Sequence, residues 1–146
     1  MKSEPEAFSI DALRCRPGGT AGWDGVRNYQ ARNFMKDMSV GDLVLFYHSN
    51  ADPSGVAGIA EVAKTAYPDP TQFDPKDGHY DPKAAPESPI WFQVDLKFVR
   101  AFARVVPLDE LRGRTELEDM ALFKRSRLSV QPVEKAQWDV IVKMGA

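Results

Sequence analysis

The stretch WFQVDLKFVRAF, residues 91–102, restricts the possible folds more than any other part of the chain. Phe92, Val94, Leu96 and Phe98 alternate with Gln93, Asp95 and Lys97, and a period of two is the side-chain repeat of a β-strand. One face is therefore expected on a core and the other in solvent. A strand of this kind needs partners, and two upstream stretches supply them. VGDLVLFYHSN, residues 40–50, opens on the turn pair Gly41-Asp42 and runs apolar and aromatic from Leu43 to Tyr47, as a buried strand does. GVAGIAEVAKTAY, residues 55–67, reads as a further strand, with SNADPSG as the hairpin loop before it. Its glycines at 55 and 58 leave room for close backbone approach or a bulge.

Short helical patterns surround these strands. Ser9 is an N-cap for IDALR, and Gly18-Gly19 end that helix. Between Tyr29 and Met38, the residues Ala31, Phe34, Met35 and Met38 recur at spacings of three and four, which places one helical face on the core. Downstream, PLDELRGR starts a helix behind Pro107 and ELEDMALFKRS is a second helical candidate. RLSVQPV reads as a short strand, and VEKAQWDVIVKM as a closing helix stopped by Gly145. Residues 66–90 hold six of the eleven prolines. A loop of this length is functional or disordered, and Tyr67, Phe73 and Tyr80 as apolar anchors favour an ordered lid over a linker. Strands flanked by short helices and joined by hairpins predict an α+β fold, a small curved or barrel-like sheet in one domain over residues 1–146.

Several function classes are excluded at this stage. With 43% hydrophobic and 27% charged residues the chain has an ordinary globular composition, without any apolar run near the ~20 residues of a membrane span and without a signal segment. A cytoplasmic protein is expected, or a nuclear one in a cell with a nucleus, with no membrane partner and as a monomer. Cys15 is the only cysteine, so no internal disulfide forms and a reducing compartment is expected. His48 and His79 lack the short spacings of a zinc site, so no metal and no cofactor are expected. Adjacent His48 and Ser49 point to opposite faces of a strand and make a poor nucleophilic dyad. Cys15 has no histidine partner, and PGGTAGWDG lacks the Gly-Lys-Ser/Thr of a phosphate loop. Asp109, Glu110, Glu116, Glu118 and Asp119 sit where helix starts favour negative charge. No residue is assigned as catalytic.

What remains is a constellation of one tryptophan and several neutral polar groups. In AGWDGVRNYQARNF, residues 21–34, Trp23 sits among glycines, where a loop position would leave a flat ring face for a base, worth about 1–3 kcal/mol, with ordinary packing as the alternative. Ser3, Asn28, Ser49 and Asn50 can each donate and accept hydrogen bonds, as reading a base edge requires. Lys124, Arg125 and Arg127 form the densest basic patch, either a solvated face or a set of phosphate contacts. A net charge of −2 and a pI near 5.7 argue against coating of nucleic acid through its phosphates, so recognition is expected to be local.

Seven ordered blocks carry a resemblance: KSEP, WDGVRNYQARNF, VGDLVLFYHSN, GVAGIAEV, AYPDPTQFD, YDP and LSVQPV. Together they resemble the EVE domain family of the PUA-like superfamily, related to the YTH domains that hold a methylated adenine in an aromatic cage. The resemblance implies a PUA-like curved mixed sheet, close to a small barrel. It also implies a pocket formed by Lys2, Ser3, Trp23, Ser49 and Asn50, with Asn28 and His48 close by. In one respect the chain departs from the family pattern. An apolar tract usually precedes Lys-Ser-Glu-Pro, and here Met1 stands before Lys2, so either the first strand is short or the start lies upstream.

The expected function is a non-enzymatic module that binds an unstacked, modified base of DNA or RNA, single-stranded or flipped out of a duplex. Trp23 stacks on the base, Ser3, Asn28, Ser49 and Asn50 meet its edge, and Lys2, Arg27 or the cluster Lys124, Arg125 and Arg127 meet phosphate. The alternatives are an enzyme on the same scaffold with Glu61 or His48 as acid or base, and a protein-interaction module using the Pro-rich lid.

Overall fold

A computed structural model describes residues 1–146. Five strands form one sheet: β1 Lys2–Ser3, β2 Thr20–Gly22, β3 Leu43–His48, β4 Gly55–Pro68 and β5 Phe92–Pro107, in the spatial order β1-β3-β4-β5-β2. The pairs β3/β4, β4/β5 and β2/β5 are antiparallel, while β1 runs parallel to β3. Along β4/β5 the register slips four times, between Val56 and Gly58 and at three points from Ile59 to Tyr67. Each slip bends the ladder, and this bending produces the curved mixed sheet. Gly55 and Gly58 serve the close approach expected of them, because a Cβ there would collide with the carbonyls of Val106 and Arg100.

Both faces of the sheet are covered. Val44 and Phe46 on β3, Val62 on β4, and Val94 and Leu96 on β5 join one core with helices α1 (Ile10–Cys15) and α2 (Tyr29–Lys36). Leu45, Tyr47, Ile59, Phe102 and Val106 face a second core under α3 (Leu108–Arg112), α4 (Ala121–Lys124) and α5 (Lys135–Gly145). The continuous apolar run of β3 follows from this double cover. Each fully buried leucine, Leu13 and Leu96 among them, adds about 2 kcal/mol of transfer free energy. Ser9 caps α1 as expected, its Oγ accepting from the Ala12 N–H at 3.0 Å, whereas Asn28, expected at a base edge, caps α2, its Oδ1 accepting from the Ala31 N–H at 2.9 Å. Glu134 and Gln137 complete a capping box on α5.

The structure corrects several expectations. RLSVQPV is not a strand. Leu128 and Val130 are buried against the sheet, but the segment's one backbone hydrogen bond to a strand runs from the Lys2 N–H to the Ser129 carbonyl, and Pro132 has no N–H to extend a ladder. ELEDMALFKRS divides into a 3-10 turn at Thr115–Leu117 and the single turn of α4. On β5 the polar face is not wholly solvated. Gln93 is buried while Phe92 is only half-buried, because β2 and the Pro-rich segment cover that end of the strand. The Pro-rich segment contains a 3-10 turn, Pro70–Phe73, and its strongest anchors are polar rather than aromatic. Tyr80 is 41% exposed, whereas Asp69 and Gln72 are fully buried. Gln72 is saturated: Nε2 donates to the Asp69 and Trp91 carbonyls, and Oε1 accepts from the Ile90 and Trp91 N–H groups. No helix is long and apolar enough to cross a membrane.

Candidate nucleic-acid interface

Strand β2 places the tryptophan. Gly22 pairs with Asp95, and the Trp23 N–H continues the ladder by donating to the Val94 carbonyl at 2.8 Å. Position 22 must lack a side chain, since a Cβ would lie 2.5 Å from Gln93 Nε2 and 3.2 Å from the Tyr67 hydroxyl. The glycines around Trp23 suggest a loop, yet they are a strand end and its turn. Trp23 is accordingly 8% exposed, its ring edge-on to Phe46 at 5.3 Å and to Phe8 at 6.2 Å. The expectation of an open ring is corrected: Trp23 belongs to the core and reaches a cleft only at its margin.

That cleft has a volume of about 580 Å³ and opens between Ser3 and Phe8 on one side and Pro70 and His79 on the other. Trp23, Asp24, Gly25, Arg16 and Gln93 complete its principal walls. At one end Gln93 Nε2 donates to the Tyr67 hydroxyl at 2.5 Å, and that hydroxyl donates to Asp95 through a very short hydrogen bond. Burial first, and the bond to Asp95 second, push the Tyr67 phenol above its ordinary value, so it remains a neutral donor. Gly25 adopts a φ of +78° that disfavours other residues, and a Cβ there would strike the His79 ring at 2.8 Å.

The Pro-rich segment is strapped to this wall by one buried ion pair. Arg27 Nη1 donates to Asp69 Oδ2 at 3.0 Å, Nη2 to Thr71 Oγ1 at 2.9 Å, and Nε to the His79 carbonyl at 3.0 Å. Asp69 also accepts from the Gly25 N–H and from the Thr71 hydroxyl and N–H. Burial by itself would raise the Asp69 carboxyl, but these donors outweigh it and hold the group below its ordinary value. Arg27 is thereby committed to structure, which corrects its expected phosphate contact.

Of the seven residues expected to bind a base, Ser3 and Trp23 reach the cleft. Ser3 Oγ donates to the Phe8 carbonyl at 2.7 Å, so it is left as an acceptor. Lys2 lines a different cavity, and its ammonium donates to the Ser126 carbonyl at 2.8 Å. Asn28 has its side-chain oxygen on the N-cap of α2. His48 Nε2 accepts the Ile10 N–H at 3.1 Å and, with burial lowering the imidazole's affinity for a proton, has no free base at that nitrogen. Asn50 donates to Glu4 at 2.6 Å, while the Ser49 backbone N–H donates to the Ser3 carbonyl. Lys124 is paired with Asp119 at 3.2 Å. Arg125 and Arg127 are exposed and without a carboxylate partner, on the turn whose Ser126 carbonyl contacts Lys2.

The other ten of the twelve residues lining the cleft were not among the expected site residues, Phe8, Arg16, Asp24, His79 and Gln93 among them. Arg16 holds its guanidinium 5.3 Å from the Phe8 ring centroid and has no acidic partner. Gln93 had a signal, a neutral amide on the polar face of the clearest strand. A second cavity, about 420 Å³, lies behind the outer edge of β3 among Phe34, Leu43, Tyr47, Met120 and Trp138. Its walls are largely apolar and present few groups to a base edge.

Residues 1–144 match the family model of the EVE domain. The chain belongs to the EVE domain family. Thymocyte nuclear protein 1 of Danio rerio is 46% identical over 161 residues, covering 99% of this chain and 70% of that protein. Among solved structures, the DUF55 domain of human thymocyte nuclear protein 1 has a TM-score of 0.96 at 42% identity, covering 99% of this chain and 96% of the other. The human protein solved in complex with 5-methylcytosine containing DNA has the same TM-score and identity, covering 99% of this chain and 95% of the other.

Proposed function

We propose that this EVE domain is a non-enzymatic nucleic-acid-binding module that receives an unstacked, modified base in the cleft between β2 and the Pro-rich segment. The observation that carries the reading is the make-up of that cleft, an aromatic margin beside neutral hydrogen-bonding groups. It occurs on a backbone that matches, at a TM-score of 0.96, a relative solved with 5-methylcytosine DNA. Trp23 and Phe8 supply the apolar wall, while Ser3 and Gln93 supply neutral polar groups. Arg16 at the mouth is the unpaired cation best placed for the phosphate that follows the base into the cleft, with Arg125 and Arg127 as outer contacts. A base stacked inside a duplex cannot enter a cleft, so single-stranded or flipped nucleotides are the ligand.

The test is an NMR titration of the labelled protein with a single-stranded oligonucleotide carrying one 5-methylcytosine, beside its unmodified counterpart. Shifts concentrated at Ser3, Trp23, Asp24 and Gln93, larger for the modified strand, are expected. Shifts confined to the apolar cavity around Leu43 and Trp138 would move the site to the other face and overturn the assignment.

A further inference from the structure

Asp24 is the one acidic group lining the cleft, and the donors that flank it in the chain and across the wall are directed elsewhere. The Arg27 guanidinium is held by Asp69, Thr71 and the His79 carbonyl; the Gly25 N–H goes to Asp69; His79 Nδ1 faces Asp77 at 3.1 Å. The carboxyl of Asp24 therefore has no protein partner and remains an open acceptor in the cleft. We infer that Asp24 is a specificity-determining residue that selects bases carrying an exocyclic amino group and rejects those with a carbonyl in its place. The inference rests on the cleft being the base site proposed above.

The chemistry follows from donor and acceptor patterns. The pairing edge of cytosine offers an N4 amino group, which a carboxylate oxygen can accept. Thymine and uracil offer the O4 carbonyl at that place, and a carboxylate facing it meets oxygen against oxygen with no proton between. The groups around Asp24 are of both signs, with Asp69 and Asp77 opposed by His79 and Arg27. Partial burial first, and Asp69 second, raise its carboxyl above the ordinary value, as befits an acceptor kept without a partner until a ligand arrives. An unpaired polar group discriminates strongly, because the wrong ligand leaves it desolvated and unsatisfied.

The deciding pair of ligands is 5-methyl-2′-deoxycytidine and thymidine at one position of the same single-stranded oligonucleotide. They share the sugar and the 5-methyl group and differ at position 4 and in the proton on N3. With wild-type protein, calorimetry is expected to give at least about a tenfold preference for the methylcytosine strand, the discrimination typical of one good base-edge contact. Asp24→Asn, whose amide can turn to donate or accept, is expected to reduce that preference to about twofold or less, with a melting curve confirming the fold. Equal binding of both strands by the wild type, or full preference retained in Asp24→Asn, overturns the role of Asp24 while leaving the cleft as base site. Binding of neither strand overturns the base site itself, and the inference with it.

Discussion

Trp23 and Asp24 are adjacent in the chain and opposite in what they do. Trp23 stands edge-on to Phe46 and Phe8, so Trp23→Ala leaves a cavity in the core and is expected to cost about 3–5 kcal/mol in urea denaturation. Trp23→Phe keeps most of that packing and is the better probe of the cleft margin. A loss below about 1 kcal/mol for the alanine variant would show that the ring is not held as described. Asp24 does the reverse. Folding raises its carboxyl above the ordinary 3.8, so the native state holds this proton more tightly than the unfolded chain does. The associated stability is complete below the unfolded value and is lost as pH rises through the folded one. Asp24→Asn is therefore expected to melt higher than wild type at neutral pH, with the gap closing as pH falls through the raised folded value and gone below the unfolded value near 3.8. An acceptor retained at a cost to stability is what binding sites show when function and folding compete. Neither position was legible in full: the glycines beside Trp23 carry the local signal of a loop, and nothing local reveals that β2 pairs with β5 across more than 70 residues.

Three of the five strands were legible because their periods are: β3, β4 and β5 lie where alternation or an unbroken apolar run places them. The short-range cap at Ser9 was legible for the same reason, since a capping oxygen and its N–H are three residues apart, whereas Asn28, at the same spacing from Ala31, caps a helix where the sequence suggested a base-edge contact. Hidden were the contacts that position the Pro-rich segment, because Arg27 meets Asp69 across 42 residues and Gln72 meets Trp91 across 19. These contacts decide whether the cleft has a second wall. Removing one partner of a buried pair leaves the other charge uncompensated, so Asp69→Ala is expected to lose about 3–5 kcal/mol. It is also expected to speed amide exchange through residues 69–91. If exchange there stayed at the wild-type rate, the ion pair would not be the strap. The same pair sets an acid limit. The Asp69 carboxyl is held below its ordinary value, so its stabilisation is present above the unfolded value near 3.8 and disappears as pH falls through the folded value.

Two concavities lie beside the covered sheet, the apolar cavity and the polar cleft, and charge helps to decide which suits a nucleic acid. The apolar cavity has the Lys2 ammonium at its rim, already bonded to Ser126, whereas the polar cleft has the free guanidinium of Arg16. With a net charge of −2, the chain cannot draw in nucleic acid through a general basic field. Affinity must come from the base and from very few phosphates. Counterion release then predicts a shallow salt dependence, a slope in log K against log salt of about −1 for one or two phosphates on a single strand. Arg16→Ala is expected to reduce that slope by about 0.7 while keeping the preference among bases, because a phosphate contact positions without reading. Lys124→Ala should leave the slope unchanged, since that ammonium already faces Asp119. A steep wild-type slope, or one that Lys124→Ala flattens and Arg16→Ala does not, would place the strand along the 124–127 turn instead of at the mouth of the cleft.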